Sequence, residues 1–255
     1  MPGKSNSYYA LIEALRRPGC PICQQVDDAV RQRIDAFLYE QITVIARRDE
    51  IRNARGFCSV HGSMISGTGR MLGTAILQHD VLNDVLREIS KVVPASANNN
   101  SAAEPGKGRQ VMTLKGLVTS GLRLRPFAAI ANAIKPRREC PLCEYERGTE
   151  ANLLRALINN FDDEILRDSF AKSNGICLSH FRVALSGLSE TKPDLLAMVT
   201  DIQLGILTRL RDELADYIHK SNGSYDFAKM GDESDAPLRA VRTVSGRVLH
   251  RDGRI

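Results

Sequence analysis

Between Gln24 and Glu40 the apolar residues Val26, Val30, Ile34, Phe37 and Leu38 recur at helical spacing with Asp and Arg between them, which predicts an amphipathic helix. The same period returns from Met71 to Lys91, where Leu72, Ile76, Leu82, Val85, Leu86 and Ile89 are apolar. It appears again from Pro193 to His219, through Leu195, Leu196, Val199, Ile202, Ile206 and Leu210. Residues 7–17 (SYYALIEALRR) predict a short amphipathic helix at the start. Aromatic residues are few at 5% and there is no Trp, so the remaining Leu, Ile, Ala and Arg favour helix throughout. The fold class read from this pattern is all-α.

The helices follow a plan that occurs twice. All six cysteines belong to it: Cys20-Pro21-Ile22-Cys23 then Cys58-Ser59-Val60-His61, and Cys140-Pro141-Leu142-Cys143 then Cys177-Leu178-Ser179-His180. The step from Cys23 to Cys58 is 35 positions and that from Cys143 to Cys177 is 34, so the copies are nearly in register. One helix across that step would be about 50 Å long, and its two ends could not share a ligand. The chain must turn back. Counting 15 residues back from Cys58 and Cys177 gives Thr43 and Asp162, both suited to cap a returning helix, predicted at 44–54 and 163–173. Gly56 and Gly175, two residues before each cysteine, supply the left-handed stop. Each half then reads as a helical hairpin held at its open end by one metal: Cys20, Cys23, Cys58 and His61 in the first, Cys140, Cys143, Cys177 and His180 in the second.

These readings divide the chain into a first helical metal-binding repeat at 7–93, a linker at 94–108 (Pro-, Gly- and Asn-bearing), a second repeat at 109–220, and a tail at 221–255 without periodicity, expected to be disordered and basic. The net charge of +5 is too small to identify a partner. No run of 18 apolar residues exists, so no membrane span is expected, and Glu13 interrupts the short apolar stretch a signal peptide would need. A cytoplasmic, reducing setting follows, in which C-x-x-C pairs are metal or redox sites more often than structural disulfides.

The order CPIC, a helix ending in Tyr39-Glu40, then Arg48, then Gly56-Phe57-Cys58-x-x-His61, then a Gly-Thr-Ala-Ile-Leu helix resembles an uncharacterised bacterial and archaeal family of unknown function. In the second half Asn159 stands at the place of Glu40, while Arg167 matches Arg48. The resemblance implies a helical metal-binding fold and no particular activity.

Three thiolates and one imidazole form a closed tetrahedral set of the kind structural zinc prefers, so two zinc ions per chain are expected. An iron–sulfur cluster is the alternative cofactor, although clusters usually take four cysteines. Disulfides would leave one thiol of each triplet over. A catalytic zinc needs an open position and a general base, and the one candidate base, Glu40, has only Asn159 as its counterpart. A thioredoxin-like dithiol would sit after a strand, and no strand pattern precedes either CPxC. His79 and His219 lie on helices without matching partners and read as surface histidines. The Gly-Lys-Ser and Gly-Lys-Gly triplets at residues 3–5 and 106–108 lack the rest of a phosphate loop. The function expected is non-enzymatic: a zinc-stabilised binding or adaptor module for a protein partner, with nucleic acid as a further partner class through the basic segments 109–138 and 239–254. The alternative is a redox protein that transfers electrons or senses oxidation.

Overall fold

The computed structural model describes residues 4–92, 125–188, 192–221 and 231–246. These form helices only, with no strand among the described residues. In chain order they are α1 (Asn6–Leu15), α2 (Pro21–Tyr39), α3 (Ile45–Asn53), α4 (Ser59–Ser66), α5 (Met71–Val92), α6 (Arg125–Ile134), α7 (Pro141–Asn159), α8 (Glu164–Lys172), α9 (Leu178–Leu188), α10 (Pro193–Ser221), a short 3-10 turn (Asp232–Asp235) and α11 (Ala236–Ser245). Among them no helix is long and apolar enough to cross a membrane. The linker at 94–108 lies outside the described residues.

The boundaries read from periodicity hold within a few residues, and the differences have local causes. The returning helices start one residue later than the spacing suggests. Val44, not Thr43, precedes α3 and offers no side-chain cap, whereas Asp163, not Asp162, caps α8 by accepting from the Leu166 N–H at 3.0 Å. Asp163 also accepts from the Tyr8 hydroxyl at 2.8 Å, which fastens α1 to the start of α8. At the ends, Gly56 (φ +97°) and Gly175 (φ +66°) take the left-handed conformation. Arg55 is left-handed as well (φ +58°), at a cost of roughly 1 kcal/mol for a residue with a Cβ. Its buried guanidinium holds it there by pairing with Asp84 of α5 and donating to the Ala133 carbonyl of α6.

Two compact units emerge, and they are not the two sequence halves. One comprises Met1–Arg33 with Tyr145–Ile255, the other Ile34–Glu144. The division falls inside α2 and α7. At 19 residues, or about 28 Å, each is long enough for its two ends to join different cores. In α2, Ile22, Val26 and Val30 belong to the first core, and Ile34, Phe37 and Leu38 to the second. The first core adds Leu11, Leu154, Leu157, Phe161, Leu166, Phe170, Ile176 and Val199, with Phe161 and Phe170 edge to face at 5.4 Å. The second is built on Ile51, Ile65, Leu77, Val81 and Leu142. In it α5 approaches α2 so closely that a Cβ on Gly73 would collide with the Leu38 carbonyl, which accounts for the glycine opening the Gly-Thr-Ala-Ile-Leu stretch.

The expectation of a disordered tail is also corrected. Residues 231–246 fold into the 3-10 turn and α11, which packs on α9 and α10 in the first unit and buries Ala236 and Thr243. Leu238, Val241 and Val244, apolar at helical spacing, face outward, and the helix spans only 10 residues, so its period is a short signal in the sequence. Residues 222–230 and 247–255, including Arg247, His250, Arg251 and Arg254, lie outside the described residues.

Candidate metal centres

All four cysteine motifs sit at the N-terminus of a helix, and this explains their spacing. Cys20 and Cys140 precede Pro21 and Pro141, the first residues of α2 and α7, where a missing N–H costs nothing. Cys58 is the N-cap of α4 in extended conformation (ψ 168°), and Cys177 precedes α9. In each case the cysteine carbonyl accepts the first intrahelical bond: from Gln24, Gly62, Glu144 and Phe181 at 3.2, 2.8, 3.2 and 2.9 Å. The second donor of each motif is then the third helical residue, which shares a side with the cap as in a capping box. C-x-x-C and C-x-x-H are therefore one device, two donors converging at the electropositive end of a helix, where a thiolate is stabilised.

The eight predicted residues come together in two groups, and the grouping differs from the expectation. Cys20 and Cys23 join Cys177 and His180, whereas Cys58 and His61 join Cys140 and Cys143. Each CPxC thus meets the C-x-x-H of the other sequence half, so the hairpins are not closed within themselves. Within each group the donor atoms all lie within 4.8 Å of one another. The first group belongs to the first unit and the second to the second unit.

A metal fits both. Zinc–sulfur bonds of about 2.3 Å and zinc–nitrogen bonds of about 2.1 Å put tetrahedral ligands about 3.8 Å (S···S) and 3.6 Å (S···N) apart. In the first group Cys23 Sγ and Cys177 Sγ are 3.8 Å apart, and His180 Nδ1 stands 3.5, 3.5 and 3.1 Å from the sulfurs of Cys20, Cys23 and Cys177. In the second, Cys58 Sγ and Cys143 Sγ are 3.5 Å apart, with His61 Nδ1 at 3.2, 3.5 and 3.7 Å from Cys58, Cys143 and Cys140. These are edges of a coordination tetrahedron and far exceed the roughly 2.05 Å of a disulfide. All six thiols are free.

Crowding four donors in one place distorts their proton affinities. Cys177 is driven down because the Cys20 and Cys23 thiols donate to it, and Cys23 is driven up by the same bond to Cys177. Burial opposes a charge on His180, but hydrogen bonds with Cys177, Cys20 and Glu150 prevail and push it up to about 12. In the second group burial likewise opposes ionisation of Cys140, yet His61 and the backbone N–H groups around the helix start bring it down to about 6. Cys143 is pushed up to about 12 by burial, its bond to Cys58 and the charge of Cys140. A divalent cation resolves this by displacing the protons, which is why occupancy of such a group falls as pH falls.

Residues 10–251 match the family of unknown function DUF6062. The chain belongs to that family. The match spans both Cys3His groups and reaches past α11, so the DUF6062 region includes the helix that sequence periodicity left out. No curated protein and no solved structure matches the chain.

Two residues that support the first centre carry no signal in the sequence. His180 Nε2–H donates to Glu150 Oε1 at 3.2 Å, from the middle of α7. Gln203, fully buried on α10, holds the Ile176 backbone at both groups: its Oε1 accepts from the N–H at 2.9 Å and its Nε2 donates to the carbonyl at 3.0 Å. A Cβ on Gly175 would meet that amide at 2.5 Å, so glycine serves both the turn and the clamp. A buried glutamine in an amphipathic helix can be recognised as unusual, but its target cannot be read from spacing. Gln203→Leu should strand two buried backbone groups next to Cys177 and destabilise the chain by roughly 2–4 kcal/mol, seen as a lowered thermal midpoint with two metals still bound. An unchanged midpoint would show that Ile176 finds other partners. Glu40 is exposed and belongs to neither group.

Proposed function

We propose that this DUF6062 protein is a zinc-stabilised helical binding module of the cytoplasm, with two structural zinc ions and a protein partner engaged by its helix faces. The observation that carries the reading is the pair of closed donor sets, three sulfurs and one nitrogen at tetrahedral edge lengths. Four protein donors leave no open position for a catalytic water. Donors clustered within 4.8 Å suit a single ion better than a cluster, whose terminal ligands are spread over several irons. Several arginines of the basic segments are engaged internally: Arg137 with Glu88, Arg138 with Glu144, and Arg239 with Glu213 and Asp235. Each pairing offsets charge that a phosphate backbone would use, which supports a protein surface; residues 109–124 and 247–254 of these segments lie outside the described residues. Exposed apolar side chains, such as Tyr39, Met71 and Leu72 in one unit and Leu238, Val241 and Val244 in the other, offer such contacts.

Elemental analysis of protein purified without oxygen tests the reading. Two equivalents of zinc and a colourless solution are expected. A brown solution absorbing near roughly 400 nm would replace it with the electron-transfer reading.

A further inference from the structure

In the first group two features bear on how its metal would be held. One ring nitrogen of His180 faces three sulfurs and the other is bonded to Glu150. The first group also borders a cavity of about 330 Å³, whose wall includes Cys23, Cys177, His180, Glu150 and, at the end of α11, Gly246. Three of the four donor residues therefore lie in the wall of one space. Small competing donors such as thiols or chelators gain a path to the metal there, and the imidazole is the ligand they would displace most readily. It is neutral where the others are thiolates, and it leaves by rotating about its side-chain bonds.

A carboxylate on the far nitrogen opposes that departure. It holds the proton on Nε2, keeps the lone pair on Nδ1, fixes the plane of the ring and makes the ligand more basic. We propose that Glu150 is a positioning residue that latches His180 onto the first metal against small donors entering through the cavity, and that metal exchange at this centre is controlled there. The proposal rests on the first group being a metal centre.

The test follows zinc release from the loaded full-length chain to a chromophoric chelator, in wild type, Glu150→Gln and Glu150→Ala. In Glu150→Ala one equivalent should leave about 10–100-fold faster while the other keeps its wild-type rate. Glu150→Gln, which retains an acceptor oxygen without the charge, should fall between. With cadmium-113 in place of zinc, only one of the two resonances should shift. Wild-type release from a normally folded Glu150→Ala chain would overturn the latch, as would equal acceleration of both equivalents, which signals general loosening. If Glu150→Ala does not fold, the Gln variant decides by the same rates. A wild-type chain that binds no metal would instead overturn the proposed function.

Discussion

Replacing Cys20 and Cys58 together by serine should leave the chain with no tightly bound metal, whereas replacing Cys58 and Cys140 together should leave one equivalent. The contrast follows from the grouping: Cys20 and Cys58 belong to different donor sets, and Cys58 and Cys140 to the same one. Hairpins closed within each sequence half would give the opposite result, one equivalent in the first variant and none in the second. The effect is large because a structural zinc site of this kind binds with an apparent 10–16 kcal/mol, about what a whole domain has in reserve, and serine supplies no thiolate. Elemental analysis of the purified variants reads the outcome. Where a double variant does not fold, alkylation of the single Cys58→Ser chain provides a second measurement. Cys140 and Cys143 should become reactive while Cys20 and Cys23 stay protected. Protection of Cys140 and Cys143 with exposure of Cys20 and Cys23 would refute the grouping.

Chelation should unfold helices, with the second unit affected first. Both groups gather donors from helix starts far apart in sequence, so the binding energy of a metal held in either would be largely folding energy. The units differ in what else holds them. The first has a broad core from α1, α7, α8, α9 and α10, with paired Phe161 and Phe170, whereas the described core of the second depends on fewer large side chains around Ile51, Leu77 and Leu142. Stripping metal with a strong chelator should lower helical circular dichroism and open the 34–144 unit to protease before the first unit, and added zinc should reverse both. Unchanged dichroism and melting after complete metal removal would mean that apolar burial alone sustains the fold, and the structural role would then be wrong.

The sequence by itself determined the donors, the helices and the type of site. Eight residues in two in-register copies identify a Cys3His chemistry, and the spacing of two between donors is legible because it is the distance from a helix cap to the third helical residue. The positions of Gly56 and Gly175 likewise follow from local backbone demands. Local rules could not decide which CPxC meets which C-x-x-H. The steps of 35 and 34 residues are nearly equal and both pairings yield the same donor set, so neither chemistry nor spacing distinguishes them. Tertiary packing distinguishes them, because the two ends of α2 and of α7 are buried in different cores and carry their cysteines with them. Glu150 and Gln203 are invisible to spacing for the same reason: each reaches its target, His180 or Ile176, only after helices about 27–30 residues apart have packed. In α11 the apolar residues Leu238, Val241 and Val244 do recur at helical spacing, but over a helix of only 10 residues, too short a run to stand out from the polar stretches around it.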